Sequence, residues 1–164
     1  YVKAWNDILS NERLIEKLKE RNLTLFFYPH YEMQKHISLF KSSSDHVVIA
    51  DFASYDVQDL LKKSKLLITD YSSVFFDFAY MMKPCIYYQF DLEEFTEHHY
   101  GRGYFNYEKD GFGRVVSDSE TLIEEIIKII NRNYELEERY RGNICRFFQK
   151  HDTNNCRRIF EEIN

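Results

Sequence analysis

Short apolar runs alternate with amphipathic segments along most of this chain of 164 residues. The runs favour strands, and they lie at Leu23 to Tyr28, His46 to Ala50, Leu66 to Thr69 and Cys85 to Tyr88. The segments between them carry apolar residues three or four positions apart, which predicts helices. This alternation is typical of an α/β domain with a Rossmann-like, doubly wound parallel sheet.

A helix is predicted before the first strand and between each strand and the next. The helices cover Asn11 to Glu20, about Tyr31 to Phe40, the segment of Val57, Leu60 and Leu61, and the segment of Phe75, Phe78, Ala79 and Met82. Because the last four residues fall on one helical stripe, we expect all four to face the sheet.

The carboxyl-terminal part begins after a polar and aromatic stretch from Tyr88 to Phe112, which is the longest predicted loop. A strand is predicted at Arg114 to Val116, and Ser117 with Glu120 forms a capping box for the next helix. Residues 132–164 are predicted to close the domain with helices at about Tyr134 to Lys150 and after Asp152. The apolar residues of the last helix, which we expect to pack, are Cys156, Ile159, Phe160 and Ile163.

The turn after the Leu66 strand concentrates polar side chains at one point of the predicted sheet. Asp70, Ser72 and Ser73 lie between the carboxyl end of this strand and the Phe75 helix. Ligands of open α/β sheets bind at this end of the strands, and a helix start with hydroxyls beside it suits a phosphate. A plain helix cap is the alternative, but a cap needs only one residue. Three candidates together favour a ligand site.

A histidine follows the first predicted strand in the same way. Pro29-His30 comes directly after the Leu23 strand, so we expect the imidazole at the same edge of the sheet as Asp70 and Ser72. The alternative is a loop histidine that is hydrogen-bonded to a backbone carbonyl. His98-His99 has no further ligands at a recognisable spacing, so we expect no metal site.

Composition and glycine positions exclude several classes of function. All five glycines lie at position 101 or later, so neither a P-loop nor a G-x-G-x-x-G dinucleotide motif follows an early strand. With 22 basic and 27 acidic residues the net charge is −5, which argues against a nucleic-acid partner. The cysteines Cys85, Cys145 and Cys156 have no paired spacing, and no apolar run is long enough to cross a bilayer. We therefore expect a cytoplasmic protein whose membrane contact is at most peripheral.

Four segments of the chain resemble one enzyme family. The strings ITDYSSVFFDFA, KPCIYYQFDLEEF and YGRGYF, together with Pro29-His30, occur in an order similar to that of the CDP-glycerol glycerophosphotransferases, the teichoic acid primases and polymerases. The resemblance runs from about Leu23 to about Ile130. It implies that residues 1–164 form a single donor-nucleotide-binding domain, the carboxyl-terminal half of a GT-B fold. Family members place a strand before the first helix, so we expect a fragment of a larger enzyme that is inactive alone.

The resemblance also implies roles for individual residues. It makes His30 the catalytic residue, although the family usually continues His-Pro where Tyr31 stands here. It matches Asp77 to an acidic residue of the family and implies that Asp77 binds the donor substrate together with Asp70, Ser72 and Ser73. Further candidates follow from residue chemistry: Arg102, because a guanidinium fits phosphate oxygens, and Glu93 and Glu94, because they lie beyond the next strand. For Asp77 the alternative is that it holds the preceding turn together, and for Arg102 that it is a solvated loop arginine. Glu93 or Glu94 would accept from ribose hydroxyls or simply complement a helix dipole.

The implied reaction is transfer of glycerol phosphate from CDP-glycerol to a hydroxyl of a teichoic-acid-like or capsular acceptor, with release of CMP. The implied partners are the activated donor, a polyol phosphate or glycolipid acceptor, and the amino-terminal half of the parent enzyme at the cytoplasmic face of the membrane. No cofactor is expected. Two alternatives stay open: a GT-B transferase that uses CDP-ribitol or a nucleotide sugar, and a non-catalytic nucleotide-binding or assembly domain.

Overall fold

The structure, a computed structural model, describes residues 1–92 and 105–163 of the chain. Its five strands are β1 (Leu25–Phe27), β2 (Val47–Ile49), β3 (Leu67–Thr69), β4 (Cys85–Tyr88) and β5 (Gly113–Val116). Each lies where the apolar pattern predicted it, and the first three are one to three residues shorter than the apolar runs. About half of the predicted loop from Tyr88 to Phe112, residues 93–104, lies outside the described residues, and Tyr107–Asp110 within the described half is a short helix instead of loop.

The strands form two parallel sheets. β1 pairs with β2, while β4 lies between β3 and β5, with Ile68 opposite Ile86 and Ile86 opposite Arg114. The α/β class with Rossmann-like parallel strands is confirmed. A single continuous sheet is not present within the described residues, because β1 has only β2 beside it and β3 has only β4.

Helices occupy most of the rest of the described chain. They are α1 (Val2–Leu9), α2 (Glu12–Glu20), α3 (Tyr31–Gln34), α4 (Val57–Lys63), α5 (Val74–Tyr80), α6 (Tyr107–Asp110), α7 (Ser119–Asn131), α8 (Glu138–Phe147) and α9 (Asn155–Ile163), with a 3₁₀ helix at Ile37–Leu39. The helix predicted at Tyr31 to Phe40 is thus α3 and a separate 3₁₀ turn. None of the helices in residues 1–92 and 105–163 is both long enough and apolar enough to cross a membrane.

One apolar cluster joins the two sheets. The indole of Trp5 in α1 contacts Phe27 and Tyr88, with ring centroids 5.1 and 5.5 Å away. Phe27 and Tyr88 are the last residues of β1 and β4, so the carboxyl ends of these strands meet on one side chain. The cluster continues through α2 and α7, where Leu14 and Leu122 are buried.

The apolar stripe on α5 lies in a second apolar cluster, but the last residue of the stripe differs from the prediction. Phe75, Phe78 and Ala79 are buried as predicted. Met82 is only partly buried, because α5 ends at Tyr80 and Met82 has a φ of 56°. Its N–H donates to the Ala79 carbonyl and that of Lys83 to the Phe78 carbonyl, the bonds of a Schellman motif. The helix thus ends two residues before the apolar pattern does, because Met82 adopts a left-handed conformation.

The last two helices differ from the prediction. α8 begins at Glu138 instead of near Tyr134, because Asn133 and Tyr134 both have a positive φ. α9 was predicted to pack, but no residue of it is buried. Its apolar residues Ile159, Phe160 and Ile163 are 60%, 67% and 78% exposed, and Cys156 is exposed as well. Helical spacing identifies an apolar stripe but does not show that a surface covers it.

The cap of α7 is Asp118, not the predicted Ser117. The Asp118 carboxylate accepts a hydrogen bond of 2.8 Å from the Thr121 N–H. Asp118→Ala should lower the free energy of unfolding by about 1 kcal/mol, because it removes this cap. Ser117→Ala is the matched control and should change it by less than about 0.5 kcal/mol. Urea denaturation of the two variants measures both changes in the free energy of unfolding. A larger loss in Ser117→Ala than in Asp118→Ala would show that Ser117 is the cap of α7.

The same bond gives the Asp118 effect a pH dependence. Hydrogen bonding by the Thr121 backbone N–H lowers the pKa of Asp118. Since the folded-state pKa is the lower one, the part of the stabilisation that depends on the charge is present above about pH 4, the ordinary range of an aspartate, and is lost as the pH falls further. The difference between Asp118→Ala and the unchanged protein should therefore become smaller in strong acid, where the neutral carboxyl oxygen accepts a weaker hydrogen bond.

Candidate functional site

The turn between β3 and α5 holds three of the predicted ligand-binding residues. Asp70 is half-buried, and its carboxylate accepts a 2.7 Å hydrogen bond from the Tyr71 N–H. Ser73 is the N-cap residue of α5 and is exposed, but its side chain makes no capping hydrogen bond. Ser72 beside it is half-buried. The alternative interpretation of this turn was that its polar residues serve only to cap α5. Neither the Asp70 nor the Ser73 side chain forms such a cap.

A tyrosine that the sequence analysis did not single out ties this turn to the end of the neighbouring strand. The Tyr71 hydroxyl donates a 2.9 Å hydrogen bond to the carboxylate of Asp91, three residues beyond the last residue of β4. Burial, and next the Asp91 carboxylate, raise the pKa of Tyr71 far above its ordinary value. The phenol therefore stays protonated and remains a donor. The two carboxyl-end segments of β3 and β4 are held together by this bond.

His30 lies at the surface as the N-cap residue of α3. Its Nδ1 accepts a hydrogen bond of 3.3 Å from the Glu32 N–H. Within the described residues the His30 ring makes no hydrogen bond to a backbone carbonyl, which was the alternative. Because Nδ1 is the acceptor, the neutral imidazole carries its hydrogen on Nε2. His30 can therefore present an N–H donor to a ligand at the rim of the domain.

The strand ends that carry His30 and Asp70 lie on the same side of the domain. The carboxyl-terminal residues of β1 and β4 meet on Trp5, as described above. The Tyr1 ring also packs between Phe40 and Phe90, with centroids 6.3 and 6.1 Å away. In residues 1–92 and 105–163, however, no hydrogen bond or ion pair joins His30 directly to the turn between β3 and α5. The structure brings together the edges that carry them, and their direct contact stays a prediction.

Of the remaining predicted substrate-binding residues, only Asp77 lies in the described part of the chain. Asp77 is exposed in the first turn of α5, four residues after Ser73. Glu93, Glu94 and Arg102 lie outside the described residues, as do His98 and His99. In the part of the chain that is described, no group of three or more His, Cys, Asp or Glu side chains is placed to hold a metal ion.

Parallel strands joined through helices define the chain as a Rossmann-like α/β domain, and the turn between β3 and α5 lies at the carboxyl end of its strand, where domains of this class bind ligands. The sequence profile of the family described as CDP-Glycerol:Poly(glycerophosphate) glycerophosphotransferase matches residues 2–164. The chain belongs to this family of transferases, which confirms the resemblance found in the sequence.

Relatives in the family act in teichoic acid biosynthesis. The Minor teichoic acid biosynthesis protein GgaB of Bacillus subtilis (strain 168) is 38% identical over 163 residues, which are 99% of this chain and 17% of that protein. The Teichoic acid glycerol-phosphate primase of the same organism is 42% identical over 118 residues, which are 71% of this chain and 29% of that protein. The chain thus spans less than a third of the length of either relative.

A solved structure has the same fold. The Wall Teichoic Acid Polymerase TagF matches 94% of this chain and 36% of its own chain, with a TM-score of 0.63 and 21% sequence identity. A form of TagF soaked with CDPG matches 98% of this chain and 38% of its own, with a TM-score of 0.66 and 20% identity. At this level of identity the likeness shows the fold alone, and it agrees with the α/β, GT-B-type architecture that the sequence predicted.

Proposed function

We propose that this chain is the donor-binding part of a transferase that moves glycerol phosphate from CDP-glycerol to a hydroxyl group of a teichoic-acid-like acceptor and releases CMP. The observation that carries the proposal is the turn between β3 and α5 in a member of this family. Ser72 and Ser73 lie at the carboxyl end of a parallel strand, and the Ser73 hydroxyl is not used as a helix cap. Hydroxyl donors in this place suit the diphosphate of a nucleotide donor.

The chemistry needs positioning and charge stabilisation more than covalent catalysis. An acceptor hydroxyl attacks the β-phosphorus of CDP-glycerol, a new P–O bond forms, and the bond to the CMP oxygen breaks. Negative charge grows on the leaving CMP and on the transferred phosphoryl oxygens. The Nε2–H of His30 would donate to one of these oxygens, and Ser72 and Ser73 would hold the diphosphate. The base that takes the acceptor proton would come from the amino-terminal half of the parent enzyme.

Other substrate contacts complete the proposed site. Asp77, exposed beside Ser73, would bond ribose or glycerol hydroxyls, and Arg102 with Glu93 or Glu94 would contact the phosphate and the ribose. No cofactor or metal has a role in this scheme. The acceptor would be a polyol phosphate or glycolipid, presented at the cytoplasmic face of the membrane to which the parent enzyme binds peripherally.

A second donor is favoured by one of the relatives. The Teichoic acid ribitol-phosphate polymerase TarL of Staphylococcus aureus is 30% identical over 142 residues, which are 85% of this chain and 23% of that protein. The phosphate-binding turn would serve CDP-ribitol equally well, because the two donors share the cytidine diphosphate and differ in the alcohol. The choice between them depends on the alcohol pocket.

Calorimetric titration of the chain with CDP-glycerol, CDP-ribitol, CMP and UDP-glucose tests the proposal. We expect both cytidine diphosphate donors to bind and UDP-glucose to bind more weakly. The double variant Ser72→Ala/Ser73→Ala should bind CDP-glycerol roughly 10- to 100-fold more weakly, because it loses hydrogen bonds to a charged group. Ser38→Ala, which changes an exposed serine far along the chain, is the matched control. Equal affinity of the double variant and the control would refute the phosphate site.

A further inference from the structure

A buried amide links the two turns that follow β1 and β2. Gln34 is only 7% exposed, although it lies in α3 at the surface rim of the domain. Its Nε2 donates a 3.1 Å hydrogen bond to the Pro29 carbonyl. Its Oε1 accepts a 3.3 Å hydrogen bond from the Phe52 N–H. One side chain thus satisfies a backbone acceptor in one turn and a backbone donor in the other.

The other side-chain hydrogen bonds of the two turns are local to each turn: His30 Nδ1 accepts from the Glu32 N–H, and the Asp51 carboxylate accepts from the Ala53 and Ser54 N–H groups. α3 has four residues, which is too short to be stable from its own hydrogen bonds. Pro29 directly precedes His30, and Phe52 lies three residues beyond the last residue of β2. Because β1 and β2 are neighbouring parallel strands, the Gln34 bonds connect their carboxyl-end segments. Loss of the Gln34 bonds would therefore remove the side-chain hydrogen bonds that connect one turn to the other.

The linked turns present a histidine and two aromatic rings to solvent. Tyr31 is 73% exposed and Phe52 is 62% exposed, and their ring centroids are 6.5 Å apart at an interplanar angle of 54°. Exposed rings of this size contribute little to the core. The two rings lie side by side and next to His30. Together, His30, Tyr31 and Phe52 form a surface of hydrogen-bond donor and apolar groups, which we call the Gln34 rim.

We propose that Gln34 is a positioning residue for the donor substrate: its amide holds His30 and the Tyr31–Phe52 ring pair in one arrangement before the ligand arrives. This inference rests on the proposed function, because it assigns His30 to the reaction. A site that is ordered in advance loses less conformational entropy on binding, so its affinity is higher than that of the same groups on loose turns.

Asn143 provides a matched structural comparison. It is also a buried amide, and its Nδ2 donates to the Lys109 and Gly111 carbonyls at 3.1 and 2.7 Å. It thus links backbone segments as Gln34 does, but between α6 and α8 and not beside His30. If the role of Gln34 were purely structural, replacing Gln34 and replacing Asn143 would have the same effect on CDP-glycerol binding, and each change would otherwise affect only the stability of its own surroundings.

The experiment compares Gln34→Leu with Asn143→Leu in the chain. Both variants should lower the midpoint of thermal unfolding, because each leaves buried backbone groups without partners. Only Gln34→Leu should remove the nuclear Overhauser effect between the Tyr31 and Phe52 ring protons. It should also weaken CDP-glycerol binding by roughly 3- to 10-fold, the range expected when a few side chains must be ordered on binding.

A second variant keeps the test decisive if Gln34→Leu does not fold. Gln34→Glu preserves the side-chain shape and the acceptor for the Phe52 N–H but cannot donate to the Pro29 carbonyl when ionised. It should weaken both the ring-to-ring signal and CDP-glycerol binding to an intermediate degree.

Two results would overturn the inference: an unchanged ring-to-ring signal in the Gln34 variants, or equal weakening of binding in Asn143→Leu. If the unchanged chain itself does not bind CDP-glycerol, the proposed function fails, while the ring-to-ring signal still decides whether Gln34 orders the rim.

Discussion

Replacing His30 by alanine should lower the rate of glycerol phosphate transfer by about 10²- to 10³-fold, the usual effect of removing one donor to a developing charge. The Glu32 N–H occupies Nδ1, so the Nε2–H is the atom that faces outward to a ligand. Because the charge grows only as the P–O bond breaks, the loss should be in kcat more than in KM. CDP-glycerol binding by the chain should change far less than turnover does.

Release of CMP by the complete protein that carries this chain measures the effect of His30→Ala. His36→Gln is the matched control, because His36 is also exposed and lies six residues further along the same connection. The control should transfer glycerol phosphate at the rate of the unchanged protein. A normal rate in His30→Ala would remove His30 from the reaction and favour a nucleotide-binding or assembly role for the chain.

The second large effect concerns stability. Phe78→Ala should lower the free energy of unfolding by about 3–5 kcal/mol, because it leaves a large cavity in the second apolar cluster. Phe78 is 0% exposed, and the Lys83 ammonium lies 5.2 Å from the centroid of its ring. Domains of this size are stable by roughly 5–15 kcal/mol, so the variant would lose a large share of that.

Urea denaturation measures the Phe78 variant against Phe160→Ala. Phe160 is 67% exposed in α9, so its replacement removes the same atoms from a surface and not from a core. We expect a change within about 0.5 kcal/mol for this control. A loss in Phe160→Ala as large as the one expected for Phe78→Ala would mean that α9 packs as the apolar spacing predicted. A loss in Phe78→Ala as small as the one expected for Phe160→Ala would mean that the cluster around α5 is less important than its burial indicates.

Local pattern predicted the strands well and the helix ends poorly. The β-branched and aromatic runs are properties of short segments; β1 to β4 lie within them, and β5 begins only one residue before its predicted start. The ends of α5 and the start of α8 depend on residues such as Met82 and Tyr134 that adopt a positive φ without being glycine. Apolar spacing does not record such backbone conformations, so it extended both helices too far.

The candidate site shows a similar division. His30, Asp70, Ser72 and Ser73 could be found because each follows directly after a predicted strand. The Gln34 and Tyr71 bonds could not, because their partners Phe52 and Asp91 are 18 and 20 positions away in the sequence. Only the packing of the strands into sheets makes these residues neighbours.

The strand edges that lack a partner strand have a consequence for the behaviour of the polypeptide in solution. In the described part of the chain β1, β2, β3 and β5 each pair with a single strand, so one edge of each carries backbone N–H and C=O groups without a strand partner. Edges of this kind accept strands from other molecules. Phe26 in β1 is 39% exposed and adds an apolar side chain to one edge. Intermolecular strand pairing, and aggregation at high concentration, are therefore the expected hazards in handling this domain.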